Sequence, residues 1–324
     1  MTGAGACTLV LGAYAAMFQN DLKGLLAYST ISHLGLITLL LGMNRELATV
    51  AAVFHVMNHA TFKASLFMAA GIIDHETGTR DIRRLDGLFK AMPVTGTLAC
   101  VASAAMAGVP LMNGFLSKEM FFAETVDFMS PQPWVEDALP IAATVAGMFA
   151  VVYSLRFTVD IFFGPLATDL PRKPHEPVRW MRLPVELLVV ACLVVGMAPN
   201  WSVGPVLEMA AQAVLNGPTP HYSLAVWHGF NKPMVMSLVA LAGGFALYLL
   251  LGRAMEAGRF KKPPFIGGLD GQRLFQGALV WLDGAVRRAL RLASSQRLQP
   301  QMFLLVFRRK STRLNSSHEP LSRM

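Results

Sequence analysis

Charge is scarce in this sequence. Asp, Glu, Lys and Arg together make up 15% of its 324 residues, against 54% apolar residues and a mean hydropathy of +0.46. That shortage excludes an ordinary water-soluble fold. Cysteine is nearly absent as well. Cys7, Cys100 and Cys192 stand far apart in apolar runs, without metal-ligand spacing, so no iron–sulfur cluster or disulfide framework is expected and each reads as a small packing residue. No glycine-rich loop stands between a strand and a helix, so no dinucleotide cofactor is expected on this chain. Apolar runs such as Leu183 to Met197 do not alternate, which argues against a β-barrel. No charged n-region precedes a short apolar core, so no cleaved signal peptide is expected.

What is present is a series of apolar runs long enough to cross a bilayer. They predict an all-α, polytopic transmembrane helix bundle of roughly eight spans, in contact with lipid on its outside. The net charge of +8 falls mostly in connecting segments and in the last part of the chain. It suits anionic lipid and the positive-inside bias better than nucleic acid, which is not an expected partner.

The most informative stretch is Val53 to Phe67, VFHVMNHATFKASLF. His55, His59 and Lys63 recur every four residues, so on a helix they share one face and extend about 12 Å along the axis. A lysine deep in a membrane helix costs roughly 2.5–3.5 kcal/mol on insertion scales and usually marks an ion route. A lysine near a helix end can instead snorkel to the headgroups, but the apolar run continues from Leu66 to Ile73, which puts Lys63 inside.

The rest of the chain is read in order. Gly3 to Phe18 is a first span, and Leu25 to Leu41 a second. Asp21 and Lys23 lie at the junction, either as an ordinary polar turn or as part of an ion route. Tyr28, Ser29, Thr30, Ser32 and His33 cluster in the next turns, where hydroxyls can pass hydrogen bonds along or bond back to helix carbonyls. Met92 to Val126 is too long for one plain span and is interrupted by Gly108, Val109, Pro110 and Gly114. This predicts a discontinuous helix, the kind of break that holds ion sites in transporters. Lys118, just after the break, is placed near mid-membrane, with a headgroup contact as the alternative. Arg156 and Asp160, four apart, are expected to pair.

Leu183 to Ala198 and Met234 to Leu251 read as plain spans, joined by a long interfacial segment with Trp201, Trp227 and His228. Leu269 to Leu298 reads as an amphipathic helix, and Gln301 to Phe307 as the beginning of a further span. The ending STRLNSSHEPLSRM is read as a non-native tail. The basic excess of 74–90, 171–182 and 253–262, against an acidic 124–137, suggests that the basic segments share the cytoplasmic side. The expected organisation is 1–165, 166–265 (additional helices), 266–307 (lateral helix and truncated span) and 308–324 (tail).

Three segments in order, DLKGLLAYSTISHLGLI, FHVMNHATFKASLFMAAGIIDHETGTRDI and GVPLMNGFLSKEMF, resemble the antiporter-like membrane subunits shared by Mrp-type Na+/H+ antiporters and respiratory complex I. The likeness is strongest to the large A-type subunit of the antiporter, with the L chain of complex I second. The resemblance implies a proton path through Lys23, His55, His59, Lys63 and Lys118, and a fold of two inverted repeats of five helices, of which the chain holds the second and the end of the first, with 1–165 the antiporter-like proton-translocating domain, incomplete at its N-terminus. It also implies companion integral membrane subunits, H+ and Na+ as transported ions, a multi-pass location in the cell inner membrane, and no cofactor on this chain. By the same likeness the chain reads as a C-terminal-half fragment, without the glutamate and lysine pair of the first repeat. A proton-pumping arm of a redox enzyme is the alternative function. A structural scaffold with polar residues as packing glue is the third.

Overall fold

A computed structural model describes residues 1–227, 229–256, 263–264, 271–293 and 302. Among them the fold is all-α, without strands. One compact unit runs from Met1 to Pro264 and a second from Phe265.

In the first unit α1 (Thr2–Met17) and α2 (Leu22–Gly42) form an antiparallel hairpin, and α3 (Glu46–Thr77) returns beside α2. Asp21 starts α2 by accepting a 2.7 Å hydrogen bond from the Gly24 N–H, and Gly78 ends α3 in the left-handed region at φ 74°. Such caps satisfy backbone groups that a helix end leaves open. Then come α4 (Pro93–Ala107), α5 (Asn113–Val126), α6 (Pro133–Phe162), α7 (Arg179–Met197), the short α8 (Pro199–Ser202), α9 (Gly204–Leu215) and α10 (Lys232–Glu256). The core lies where α3, α4, α6 and α7 meet the α1–α2 pair, in contacts such as Phe62, Leu66, Tyr153, Phe157 and Val189.

Of these, α2, α6, α7 and α10 are long and apolar enough to cross a membrane by themselves, while α1 and α4 are apolar but shorter. Counting α1, α3 and the α4–α5 pair as one crossing each beside these four gives seven candidate crossings among the described residues. The eighth expected span, 301–307, lies outside the described residues except for Met302, as do His228, 257–262, 294–301 and the 308–324 tail.

Three expectations change. The segment after α7, read only as a long interfacial segment, contains a packed helix: α9 lays Leu207 and Ala211 against α3, and its Glu208 accepts hydrogen bonds from Thr219, Tyr222 (2.9 Å) and Gln212 (2.8 Å). Those donors hold the Glu208 carboxyl below its usual range. Burial and then the Glu208 carboxylate push the Tyr222 phenol up to about 12. The α9 pattern is short and begins at Gly204-Pro205, which hides its periodicity. Second, Cys7 is exposed on α1 and packs no core, whereas Cys192 is buried. Third, α6 and α7 begin earlier than the apolar runs, carrying Pro140 and Pro184 within them. Both prolines lie past the first turn of their helices, so each removes one i→i−4 hydrogen bond.

Charge is divided between the two ends of the bundle. Loops 78–92 and 163–178, with Arg80, Arg83, Arg84, Lys90, Arg172 and Lys173, meet at one end through Arg84 to the Asp169 carbonyl (2.7 Å) and the Ala167 N–H to the Asp86 carbonyl (3.1 Å). Arg83 there holds the Asp81 carboxyl below its ordinary value. At the other end Arg45 reaches the Asp127 carbonyl at 2.8 Å, near Glu46, Glu136 and Asp137.

In the second unit α11 (Gly271–Ala293) is amphipathic as its sequence predicts, with Leu274, Phe275, Leu282 and Leu290 all exposed.

Candidate functional site

The helix break organises the site. At the end of α4, Gly108 turns left-handed (φ 86°); its N–H and that of Val109 close back on the Ala105 and Ala104 carbonyls at 3.2 and 3.0 Å. This leaves the last carbonyls of α4, on Met106 and Ala107, without backbone partners. Lys118, from the second turn of α5, donates to both at 2.8 Å. A cation at a helix C-terminus also meets the negative end of the helix dipole. The lysine reaches this far because α5 packs against α4 at Gly114, where a Cβ would lie 1.9 Å from the Ala105 carbonyl oxygen. Lys118 is 7% exposed and Lys63 is 5% exposed. Both are buried as the sequence predicts, and Lys118 is no headgroup contact.

Lys63 enters from α3. Its Nζ donates to Ser29 Oγ and to the Leu26 carbonyl (3.4 Å), and lies 3.4 Å from the Met106 sulfur. The two lysines therefore converge on one residue: Lys63 on the side chain of Met106 and Lys118 on its carbonyl.

Beside them runs a row of hydrogen bonds through four helices. Tyr153 Oη of α6 is 3.3 Å from His33 Nε2 of α2; His33 Nδ1 is 3.0 Å from His55 Nε2 of α3; His55 Nδ1 is 3.0 Å from Ser117 Oγ of α5. A neutral imidazole donates through one nitrogen and accepts through the other. One set of tautomers satisfies all four members: Tyr153 donates to His33, His33 to His55, His55 to Ser117, and Ser117 to the Gly114 carbonyl at 3.3 Å. The reverse set is also self-consistent. Passing a proton along the row converts one into the other.

His59 lies at the edge of this row, its ring centroid 5.0 Å from that of His33 and 6.1 Å from that of His55. Its buried Nε2 has no hydrogen-bond partner. One turn from the His55–Ser117 contact, the buried amides of Asn58 and Asn113 likewise leave Nδ2 and Oδ1, respectively, without one.

Lys23 stands apart. It ion-pairs with Asp74 at 2.8 Å at the basic end, its side chain 39% exposed. The hydroxyls further along α2 divide their roles: Thr30 bonds back to the Leu26 carbonyl (2.8 Å), Ser32 crosses to the Leu9 carbonyl on α1 (2.8 Å), and Ser29 receives Lys63. Arg156 and Asp160 do pair, at 3.2 Å.

Sequence reasoning missed His33, Tyr153 and Ser117 as members of the row. His33 had a signal, since STISH places it one turn after Ser29 and near the hydroxyl cluster. Tyr153 had none, because its partner is 120 residues away.

Similarity to known proteins agrees with this architecture. Residues 2–137 match the family model described as NADH:quinone oxidoreductase/Mrp antiporter, transmembrane. The A/B-type subunit of a probable K(+)/H(+) antiporter of Rhizobium meliloti is 62% identical over 305 residues, which cover 94% of this chain and 30% of that protein. The A-type subunit of the Na(+)/H(+) antiporter of Alkalihalophilus pseudofirmus is 39% identical over 286 residues, 81% of this chain and 36% of that one. The solved Mrp complex of a Dietzia species superposes with a TM-score of 0.76 at 31% identity, covering 100% of this chain and 34% of the matched one. The chain thus spans about a third of the length of the relatives it matches. Residues 2–137 thus match the NADH:quinone oxidoreductase/Mrp antiporter membrane family, and most of the chain's length is similar to A-type antiporter subunits.

Proposed function

We propose that this chain is the proton-conducting part of the A-type subunit in a multisubunit monovalent cation/H+ antiporter, moving protons through Lys63, the His33–His55 pair, His59 and Lys118. The observation that carries this reading is the meeting of two buried lysines at Met106 beside an unbroken hydrogen-bonded row across four helices. Lys23, one turn before the Leu26 carbonyl that Lys63 touches, is the half-exposed end of the path on the basic side. Charges on Lys63 and Lys118 repel through a medium of low dielectric, so a proton arriving at one drives release from the other. A cation bound elsewhere in the complex would act on this pair through the same field. The exchanged cation is Na+ or K+, the ions for which the two relatives are named, and the companions are the other membrane subunits of such a complex. The antiporter names of these relatives favour this reading over a redox-driven pump.

His55→Leu breaks the row at its centre and keeps the side chain's bulk. In inverted vesicles holding the complete complex it is expected to lower cation-driven proton exchange by about a hundredfold, the low end of what one positioned proton-transfer group contributes. Exchange within twofold of the parent would refute the relay.

The membrane is the cell inner membrane, with the basic end in the cytoplasm under the positive-inside rule. Cysteines placed singly at the exposed Lys173 and Asp137 in a cysteine-free parent should label oppositely. An impermeant maleimide on intact spheroplasts is expected to modify the Asp137→Cys variant only. The opposite pattern would invert the orientation.

A further inference from the structure

We propose that Tyr153 is a proton-carrying residue that joins Lys118 to the histidine pair through a cavity sized for a single water molecule. The inference rests on the relay reading and adds the link that reading lacks. No direct hydrogen bond connects Lys118 to the row, and the one residue shared by the two lysines, Met106, offers a thioether that accepts hydrogen bonds weakly and carries no exchangeable proton.

The cavity lies between α1, α2, α5 and α6 and has a volume of about 20 Å³. A water needs roughly 10–15 Å³ on this measure and two to four polar partners. Lys118, Tyr153, His33 and Ser32 supply the polar lining; Phe121 and Ala146 are among the apolar walls. The α4 carbonyls take two of the three ammonium N–H groups of Lys118. Ser32 Oγ gives its proton to the Leu9 carbonyl and so keeps acceptor capacity. The Tyr153 oxygen is already 3.3 Å from His33 Nε2. One water in this space would accept from Lys118, donate to Tyr153 and donate to Ser32.

Transfer then balances as a chain of exchanges. Lys118 gives a proton to the water and becomes a neutral amine. The water passes a different proton to Tyr153 Oη, which releases its own to His33 Nε2. His33 is left as an imidazolium, holding protons on both nitrogens, and hands one on to His55. Tyr153 stays neutral before and after, and no oxidant or further reactant takes part.

Two variants test the link in proteoliposomes holding the complete complex. Tyr153→Phe removes the oxygen and keeps the ring. Ala146→Val fills the cavity and keeps every hydrogen-bonding group. Each is expected to lower the maximal rate of cation-driven proton exchange at least tenfold, with the half-saturating cation concentration unchanged. The double variant should be no slower than the slower single one, because both block the same step. Lys63→Ala is run beside them. If it is inactive while Tyr153→Phe stays within twofold of the parent, this link is wrong and the relay stands; if Lys63→Ala is itself fully active, the relay reading fails first. A changed half-saturating concentration at an unchanged maximal rate would give Tyr153 a purely structural role and also overturn the proposal. Should Ala146→Val not assemble, Tyr153→Phe, which adds no volume, decides.

Discussion

Lys63→Ala, built into the complete antiporter, is expected to abolish cation-dependent proton exchange, a fall of at least about a hundredfold. Lys63 is the only lysine on α3, and its Nζ ties that helix to Ser29 on α2 and to Met106 on α4. Alanine removes the one group there that can hold and release a proton beside both the histidines and Lys118. Lys63→Arg separates two explanations. Arginine keeps the positive charge and the hydrogen bonds but stays protonated at every physiological pH. If Lys63 acts by loading and unloading, arginine fails to rescue; if it only pins α3 to α2, arginine restores most of the rate. Fluorescence quenching in inverted vesicles reads both variants, and full activity of the alanine variant would remove Lys63 from the path.

The second large effect concerns stability. Arg156→Ala is expected to destabilise the bundle by about 3–5 kcal/mol, the usual result of breaking a buried ion pair from one side. Arg156 is 2% exposed. Its guanidinium donates to Asp160 (3.2 Å), to the Met17 and Gln19 carbonyls (2.7 and 2.8 Å) and to Asn20 Oδ1 (3.2 Å). It therefore caps the C-terminal end of α1 and fixes the turn that leads to Lys23. Without it Asp160 keeps, among the described residues, the Tyr248 hydroxyl at 2.6 Å, and the α1 carbonyls lose their donor. Asp160→Asn should be milder, since the arginine keeps its three other acceptors. Thermal unfolding of the purified complex measures this. An Arg156→Ala midpoint equal to that of Asp160→Asn would show that the α1 cap contributes nothing.

These two arginine and lysine sites differ in how far they could be read in advance. The Arg156–Asp160 pair follows from spacing on one helix, and the structure contains it. The α1 carbonyls that Arg156 caps do not, because they lie about 137 residues away along the chain. For the lysines, four-residue spacing places His55, His59 and Lys63 on one face, and Gly108, Pro110 and Gly114 mark the break that Lys118 follows. The same local signals hint at His33 without giving its partner and are silent on Tyr153. The former is a lone histidine among hydroxyls, and the latter a tyrosine in an apolar helix. Periodicity also overlooked α9, whose single turn of buried contacts, Leu207 and Ala211, is too short to stand out from its flanks.

The chain's own residues thus determined that it is a helical membrane protein, where one helix breaks, and that Lys63 and Lys118 are buried. Those properties depend on hydropathy, on glycine and proline, and on a repeat of 3.6, all of which act over a few turns. Only the tertiary structure decided which of those groups meet. The register of α2 against α3 brings His33 to His55, and the close packing of α5 on α4 at Gly114 brings Lys118 to the open carbonyls of Met106 and Ala107. A hydrogen bond fails over a few tenths of an ångström, and such distances are set by packing between helices remote in the chain.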